Sequence, residues 1–285
     1  MKPKRHARNG EFHHKHSLGQ NFIEDEALLG QLADLSLVTP EDNVLEIGPG
    51  FGALTRPLAA RCKRIVSLEI DDTLLPILWV TLEKCPNAEV VHGDVMKTDL
   101  AALVRERLGD GPLRVAANLP YYITTDVLTK LLAELPLARS IAVMVQKEVG
   151  DKLLSQPGED GYGPLAILCQ YTCRVRRALD VPAACFTPAP KVDSSFMVLE
   201  RRETPPCAVA DEALFMKLIR GAFLMRRKTL VNNLMAAFAL GREEASACLE
   251  RAGLPAQVRA EALSIAELAR LSNEISALHA SFDRG

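Results

Sequence analysis

The chain has 285 residues, 48% apolar and 25% charged, and its 34 Lys+Arg against 36 Asp+Glu give a formal charge of −2. That composition suits a globular chain with one large core and a second, smaller one. It excludes a uniformly basic protein that coats nucleic acid, and the lack of any run of 18 apolar residues excludes a membrane-spanning helix; a locally basic face is still allowed.

Residues 1–16 hold Lys2, Lys4, Arg5, Arg8 and Lys15, four of the six histidines and a single acid, Glu11. Without an apolar stretch they read as a flexible basic arm, not a secretory leader. His13, His14 and His16 have no thiol and only Glu11 for company, so no metal is expected there. From residue 43 short apolar runs alternate with helical patterns. Strands are predicted over 43–47, 64–70, 88–92, 113–117 and 140–146, with helices over 53–61, 73–82, 100–108 and 125–135 between them. Two further strands, 173–179 and 195–200, complete the set. This pacing implies an α/β fold, a parallel sheet with helices on both faces, because its strands are apolar throughout. Pro205-Pro206 breaks the pattern within 203–208. Beyond it lie only helical patterns, over 211–224, 227–239, 243–252 and 265–279. The expected division is a basic arm (1–16), a catalytic α/β domain (17–203) and a small all-helical domain (207–285). The seven cysteines are scattered, and Cys169 and Cys173 are spaced for one helix face rather than a zinc knuckle. They read as reduced thiols of a cytoplasmic protein.

The first chemical feature is Glu46-Ile47-Gly48-Pro49-Gly50-Phe51-Gly52, directly after the first of these strands. Glycines there permit a tight turn and close approach of backbone to a ligand, at the carboxyl end of a sheet. A nucleotide site, an S-adenosylmethionine (SAM) site and a plain turn all fit. Glu69, at the end of the next strand and about 20 residues on, is placed to accept both hydroxyls of an adenosine ribose, which suits NAD as well as SAM. Asp94, after the third, can accept an adenine amino group, although such an Asp is also an ordinary turn former. Asn118-Leu119-Pro120-Tyr121 follows the fourth strand. It suits methyl transfer to an exocyclic amino nitrogen, whose lone pair is delocalised into its base. An Asn oxygen and a backbone carbonyl held rigid by Pro120 can accept hydrogen bonds from that amine, localising the lone pair and stabilising positive charge on nitrogen. Tyr121 can stack on a flipped-out base. An Asn-capped turn before a helix uses the same residues.

With these motifs in this order, the chain resembles the rRNA adenine-N6 dimethyltransferases, the KsgA type and its Erm relatives, over residues 15–279. The resemblance implies a Rossmann-like class I SAM-dependent methyltransferase sheet. Lys15-His16-Ser17-Leu18-Gly19-Gln20-Asn21-Phe22 is similar to the N-terminal motif that closes over SAM. The cofactor contacts so implied are Gln20, Asn21, Ile23, Gly48, Gly50, Glu69, Ile70, Asp94, Val95 and Asn118, with Asn118, Leu119, Pro120 and Tyr121 carrying catalysis. Phe186-Thr187-Pro188-Ala189-Pro190-Lys191-Val192-Asp193-Ser194 resembles a second signature, whose aromatic, Phe186, would sandwich the target adenine opposite Tyr121. From the residues alone, Phe186 reads as core and the two prolines as a rigid loop. Residues 222–230 and 259–264 resemble the KsgA branch rather than the shorter, more basic Erm enzymes. The chain departs from many relatives at Tyr122, where Asn is common, at Ile23 for Leu and at His16 for Lys.

The resemblance implies dimethylation of two adjacent adenines near the 3′ end of small-subunit (16S) rRNA, with a role in small-subunit biogenesis. SAM is the methyl donor, no metal is needed, and a pre-ribosomal 30S particle is the partner of a cytoplasmic monomer. Phosphate contacts need local rather than global charge. Arg220, Arg226, Arg227 and Lys228 are assigned to RNA binding; Arg174, Arg176, Arg177 and the arm are further basic clusters. An Erm-type enzyme acting on the large subunit is the alternative within enzymes, and a non-catalytic ribosome-assembly factor the alternative outside them.

Overall fold

The structure is a computed structural model that describes residues 21–282. Its elements in chain order are β1 (Phe22–Ile23), α1 (Glu26–Leu35), β2 (Asn43–Ile47), α2 (Thr55–Ala59), β3 (Arg64–Glu69), α3 (Leu75–Thr81), β4 (Ala88–His92), α4 (Leu100–Arg107), β5 (Leu113–Asn118) and α5 (Thr124–Glu134). There follow β6 (Ala138–Gln146), α6 (Lys147–Leu154), α7 (Pro164–Thr172), β7 (Cys173–Val181), β8 (Phe186–Thr187), β9 (Ser194–Arg201), α8 (Glu212–Ala222), α9 (Leu230–Phe238), α10 (Arg242–Arg251) and α11 (Ile265–Phe282).

Seven strands form one sheet in the order β4-β3-β2-β5-β6-β9-β7. The pairs from β4 through β6 are parallel, and β9 runs antiparallel to both β6 and β7. Strand alternation divides the core between the two faces. Leu45, Ile47, Val115, Ala117, Ile141, Val143, Met197 and Leu199 pack on one side with α4, α5 and α6. Val44, Ala116, Ala142, Met144, Phe196 and Val198 pack on the other with α1 and α2. Helix starts are set by short acidic side chains: Asp25 accepts from the backbone N–H of Ala27 and Leu28 at α1, Asp99 from Ala102 at α4, and Asp211 from Leu214 at α8.

The strand order reverses between β2 and β5, so the crevice for a ligand lies at their carboxyl ends. Helices α8 to α11 build a separate apolar cluster, which also takes in Tyr162, Ala166, Ile167 and Tyr171. The helical core therefore recruits residues from before the expected boundary at 203–208. Helices α1, α6 and α7 have no counterpart in the sequence reading. The one-face reading of Cys169 and Cys173 is corrected: α7 ends at Thr172, and Cys173 opens β7. All seven thiols are free. Among the described residues no helix is long and apolar enough to cross a membrane. The basic arm lies outside the described residues.

Candidate active site

The segment after β2 turns sharply because Gly48, Gly50 and Gly52 all take positive φ. At Gly50 (φ +58) a Cβ would lie 2.6 Å from the Phe22 ring, so only glycine lets β1 lie on this loop. Phe22 and Phe51 then pack ring against ring, 4.3 Å between centroids and tilted by 45°. Strand β1 is itself held by β8, Phe22 opposite Thr187 and Ile23 opposite Phe186. The two sequence signatures thus meet as a two-stranded strap beside the glycine loop.

Glu69, 4% exposed at the end of β3, latches the loop. Its Oε2 accepts from Gly50 N–H at 3.2 Å and its Oε1 from Asp71 N–H at 2.8 Å. Burial pushes this carboxyl above its ordinary value, while the N–H bonds from Asp71 and Gly50 pull it back. Asp94 does two things: Oδ1 accepts from Met96 N–H at 2.9 Å, as a turn former does, and the residue also lines the cleft. Ile70 and Val95 bring apolar walls beside these carboxylates.

Asn118 ends β5. Its Nδ2 donates to the Asn21 carbonyl at 3.1 Å, which fixes the amide orientation and leaves Oδ1 as the acceptor. Pro120 O accepts from Ile123 N–H and Thr124 Oγ1–H, both at 3.2 Å, so the turn after the Asn is tied down. Tyr121 is partly buried, with its hydroxyl 2.8 Å from Ser194 Oγ. Burial raises its phenol above the ordinary value, and the Ser194 contact lowers it.

One cleft of about 1200 Å³, mouth included, is lined by Asn21, Ile23, Gly48, Gly50, Glu69, Ile70, Asp94, Val95, Asn118, Leu119, Pro120 and Tyr121 together. Gln20 lies outside the described residues. Phe186 is not brought to the cleft. Pairing with Ile23 turns it into the core with Leu29, Leu32 and Phe196 at 4% exposure, as its residue type alone predicts. Tyr122 stands at the cleft, 62% exposed. Arg220, Arg226, Arg227 and Lys228 are exposed on the helical unit, away from the cleft lining, and form no ion pair with a described residue. The Arg174 cluster supplies less free charge than expected. Arg176 is paired with Glu200 on the neighbouring strand β9, and Arg177 with Asp151 of α6 and with Asp180 three residues along β7.

Sequence reasoning passed over Glu46 as a titrating group. It lines the cleft beneath the glycine loop at 1% exposure, and its Oε2 accepts from Thr55 and Ser67 hydroxyls at 2.7 Å each. Burial raises it from 4.5 to about 7, against those two bonds. Between these values the folded chain holds a proton that the unfolded chain has released. Stability is therefore expected to fall as pH rises from 4.5 to about 7, by about 3 kcal/mol, and to level off above. Denaturant titrations across that range test this; the Glu46→Gln variant should lose most of the slope, the remainder coming from Glu69, which burial raises in the same direction, and an unchanged slope would refute the assignment.

A family model for ribosomal RNA adenine dimethylase matches residues 11–277. The chain belongs to the ribosomal RNA adenine dimethylase family. It is 44% identical over 271 residues to the ribosomal RNA small subunit methyltransferase A of Geobacillus kaustophilus, covering 94% of this chain and 92% of that one. It is 43% identical over 265 residues to the protein of the same name from Ligilactobacillus salivarius, covering 92% and 90%. Among solved structures, a dimethyladenosine transferase from Plasmodium falciparum superposes with a TM-score of 0.75 at 24% identity, over 90% of this chain and 98% of that one. The 23S rRNA methyltransferase ErmE does so with a TM-score of 0.66 at 26% identity, over 90% and 100%. The seven-stranded sheet is thus that of the class I methyltransferases, and this member of the adenine dimethylase family carries its appended helices in the same overall fold.

Proposed function

We propose that this family member uses SAM to place two methyl groups on N6 of each of two adjacent adenines near the 3′ end of small-subunit rRNA. It acts as a monomer in the cytoplasm on a pre-ribosomal 30S particle and contributes to small-subunit biogenesis. One observation carries the chemistry: Asn118 has its NH2 engaged by the Asn21 carbonyl and its Oδ1 free to accept, in a cleft shared with Glu69 and Asp94.

The donor set fits an adenosyl cofactor. Glu69 has carboxylate lone pairs for ribose hydroxyls, Asp94 an acceptor for the adenine amino group, and Ile70 and Val95 the apolar walls for the ring. SAM, when bound, supplies a methyl group made electrophilic by its sulfonium. The chain's own residues act on the nucleophile. Asn118 Oδ1 takes one hydrogen bond from the target amine, and the Leu119 carbonyl takes the other, since that of Pro120 already receives two donors. Both acceptors draw the amine toward a pyramidal geometry with its lone pair localised, and both face the positive charge that grows on nitrogen. Tyr121 holds the extruded base by stacking. A nitrogen that has become cationic loses its proton readily, so no dedicated base is required.

The small-subunit reading is favoured over the large-subunit one by the names and similarity of the 44% identical relatives. Tritiated methyl transfer onto unmethylated small and large subunits, tested separately, decides between them; label on the large subunit alone would overturn the reading, and none on either would favour an assembly factor.

For docking we assign the exposed turn bearing Met225, Arg226, Arg227 and Lys228 between α8 and α9. Buried Asn233 on α9 fastens it, its Oδ1 accepting from Met225 N–H at 2.8 Å and its Nδ2 donating to Met225 O at 3.4 Å. Changing Arg226 and Arg227 together to glutamate should weaken binding to the particle at least tenfold and reduce its salt dependence by about two charges, with SAM affinity unchanged. Filter binding across a salt series checks this; parallel loss of SAM affinity would mean structural damage instead.

A further inference from the structure

We infer that Ser194 is the residue that positions Tyr121, holding its ring as a platform for the target base. Tyr121 sits on a short 3-10 turn, Tyr121–Ile123, and lines the cleft with its side chain only partly buried. Ser194 opens β9, is wholly buried, and is paired on one side with Gln146 of β6 and on the other with Val181 of β7. Its Oγ lies 2.8 Å from the Tyr121 hydroxyl. A rigid central strand thus anchors the far end of a side chain whose near end is on a turn.

This contact also explains what the second sequence signature contributes to the cleft. Its aromatic, Phe186, goes into the core, while the serine that closes the signature reaches the base platform across 73 residues of sequence. The neighbouring Ser195 points elsewhere, donating to Asp180 Oδ1 at 2.7 Å. Two adjacent serines on one strand therefore serve different partners, and removing the same atom from Ser195 is an internal control for damage to β9.

The inference rests on the reading of Tyr121 as the base platform, and the experiment separates the two. Methyl transfer is measured at saturating SAM with varied small-subunit particle, and SAM affinity is measured separately, for Tyr121→Phe, Ser194→Ala, the double variant, Ser195→Ala and Tyr121→Ala. Tyr121→Phe and Ser194→Ala should each lower kcat/KM for the particle about tenfold, the scale of one lost hydrogen bond, with SAM affinity within twofold of the parent. The double variant should be no worse than the weaker single one, because both remove the same bond. Ser195→Ala should leave kcat/KM within twofold. Multiplying effects in the double variant, or a loss in Ser195→Ala equal to that in Ser194→Ala, would overturn the inference. So would full activity of Tyr121→Phe and Ser194→Ala alongside a defective Tyr121→Ala, which would spare the platform reading. An unimpaired Tyr121→Ala would instead overturn the platform itself.

Discussion

Replacing Asn118 by alanine is expected to slow methyl transfer by about a thousandfold while SAM affinity falls less than tenfold. The expectation follows from what the amide does at each end. Its NH2 is committed to the Asn21 carbonyl, so the side chain is held before any substrate arrives. In the proposed reaction its oxygen would meet the target amine already oriented and cost no reorganisation as charge develops on nitrogen. Alanine removes that acceptor, leaving the Leu119 carbonyl alone to polarise the amine. Asn118→Asp is the sharper comparison. A carboxylate is a better acceptor and more attractive to a cationic nitrogen, yet it cannot donate to Asn21 O and would oppose that oxygen with another. Single-turnover transfer at saturating SAM distinguishes the roles: a rate for Asp close to that of Ala would mean that the tether to Asn21 matters as much as the acceptor. A rate for Ala within threefold of the parent would refute the lone-pair argument.

How much of this was legible in the sequence depends on the range of the interaction involved. The inner strands were, because β2, β3 and β6 are buried on both faces and read as largely apolar runs, whereas β4 and β7 are only partly buried and the two-residue β1 and β8 gave no run to read. The strand-end groups Glu69, Asp94 and Asn118 were legible for the same reason, since a polar residue closing such a run stands out. Helix α7 was not. Leu165, Leu168 and Cys169 belong to the core beneath the sheet, and Ala166, Ile167 and Tyr171 to the helical cluster. A helix buried on both sides has no polar stripe and no period to read. Helix α6 failed in the opposite way, its stretch Lys147–Leu154 carrying four charged residues among eight. Long-range pairings were invisible from the start. The neutralisation of Arg176 by Glu200, the turn of Phe186 into the core against Ile23 and the reach of Ser194 to Tyr121 each join residues that only the folded sheet brings together.

Glu69→Gln should cost almost as much SAM affinity as Glu69→Ala, about a hundredfold, although glutamine matches glutamate in size and shape. The carboxylate receives an N–H at each oxygen, Gly50 at Oε2 and Asp71 at Oε1. An amide has one oxygen. Whichever way it turns, its NH2 must face one of those two N–H groups, donor against donor, in a site 4% exposed where water cannot intervene. Leaving a buried donor unmet costs about 1–3 kcal/mol, and the lost acceptor for the ribose adds to it; together they reach the roughly 2.8 kcal/mol of a hundredfold change. The glycine loop is the part that yields, since Gly50 is tied to the sheet through this bond and to β1 through its contact with Phe22. Titration calorimetry with SAM and with S-adenosylhomocysteine checks the expectation. The two ligands should lose affinity equally, because they share the ribose and differ at sulfur. A Gln variant that binds within threefold of the parent would remove the latch, and a loss confined to SAM would place the Glu69 charge at the sulfonium instead of the ribose.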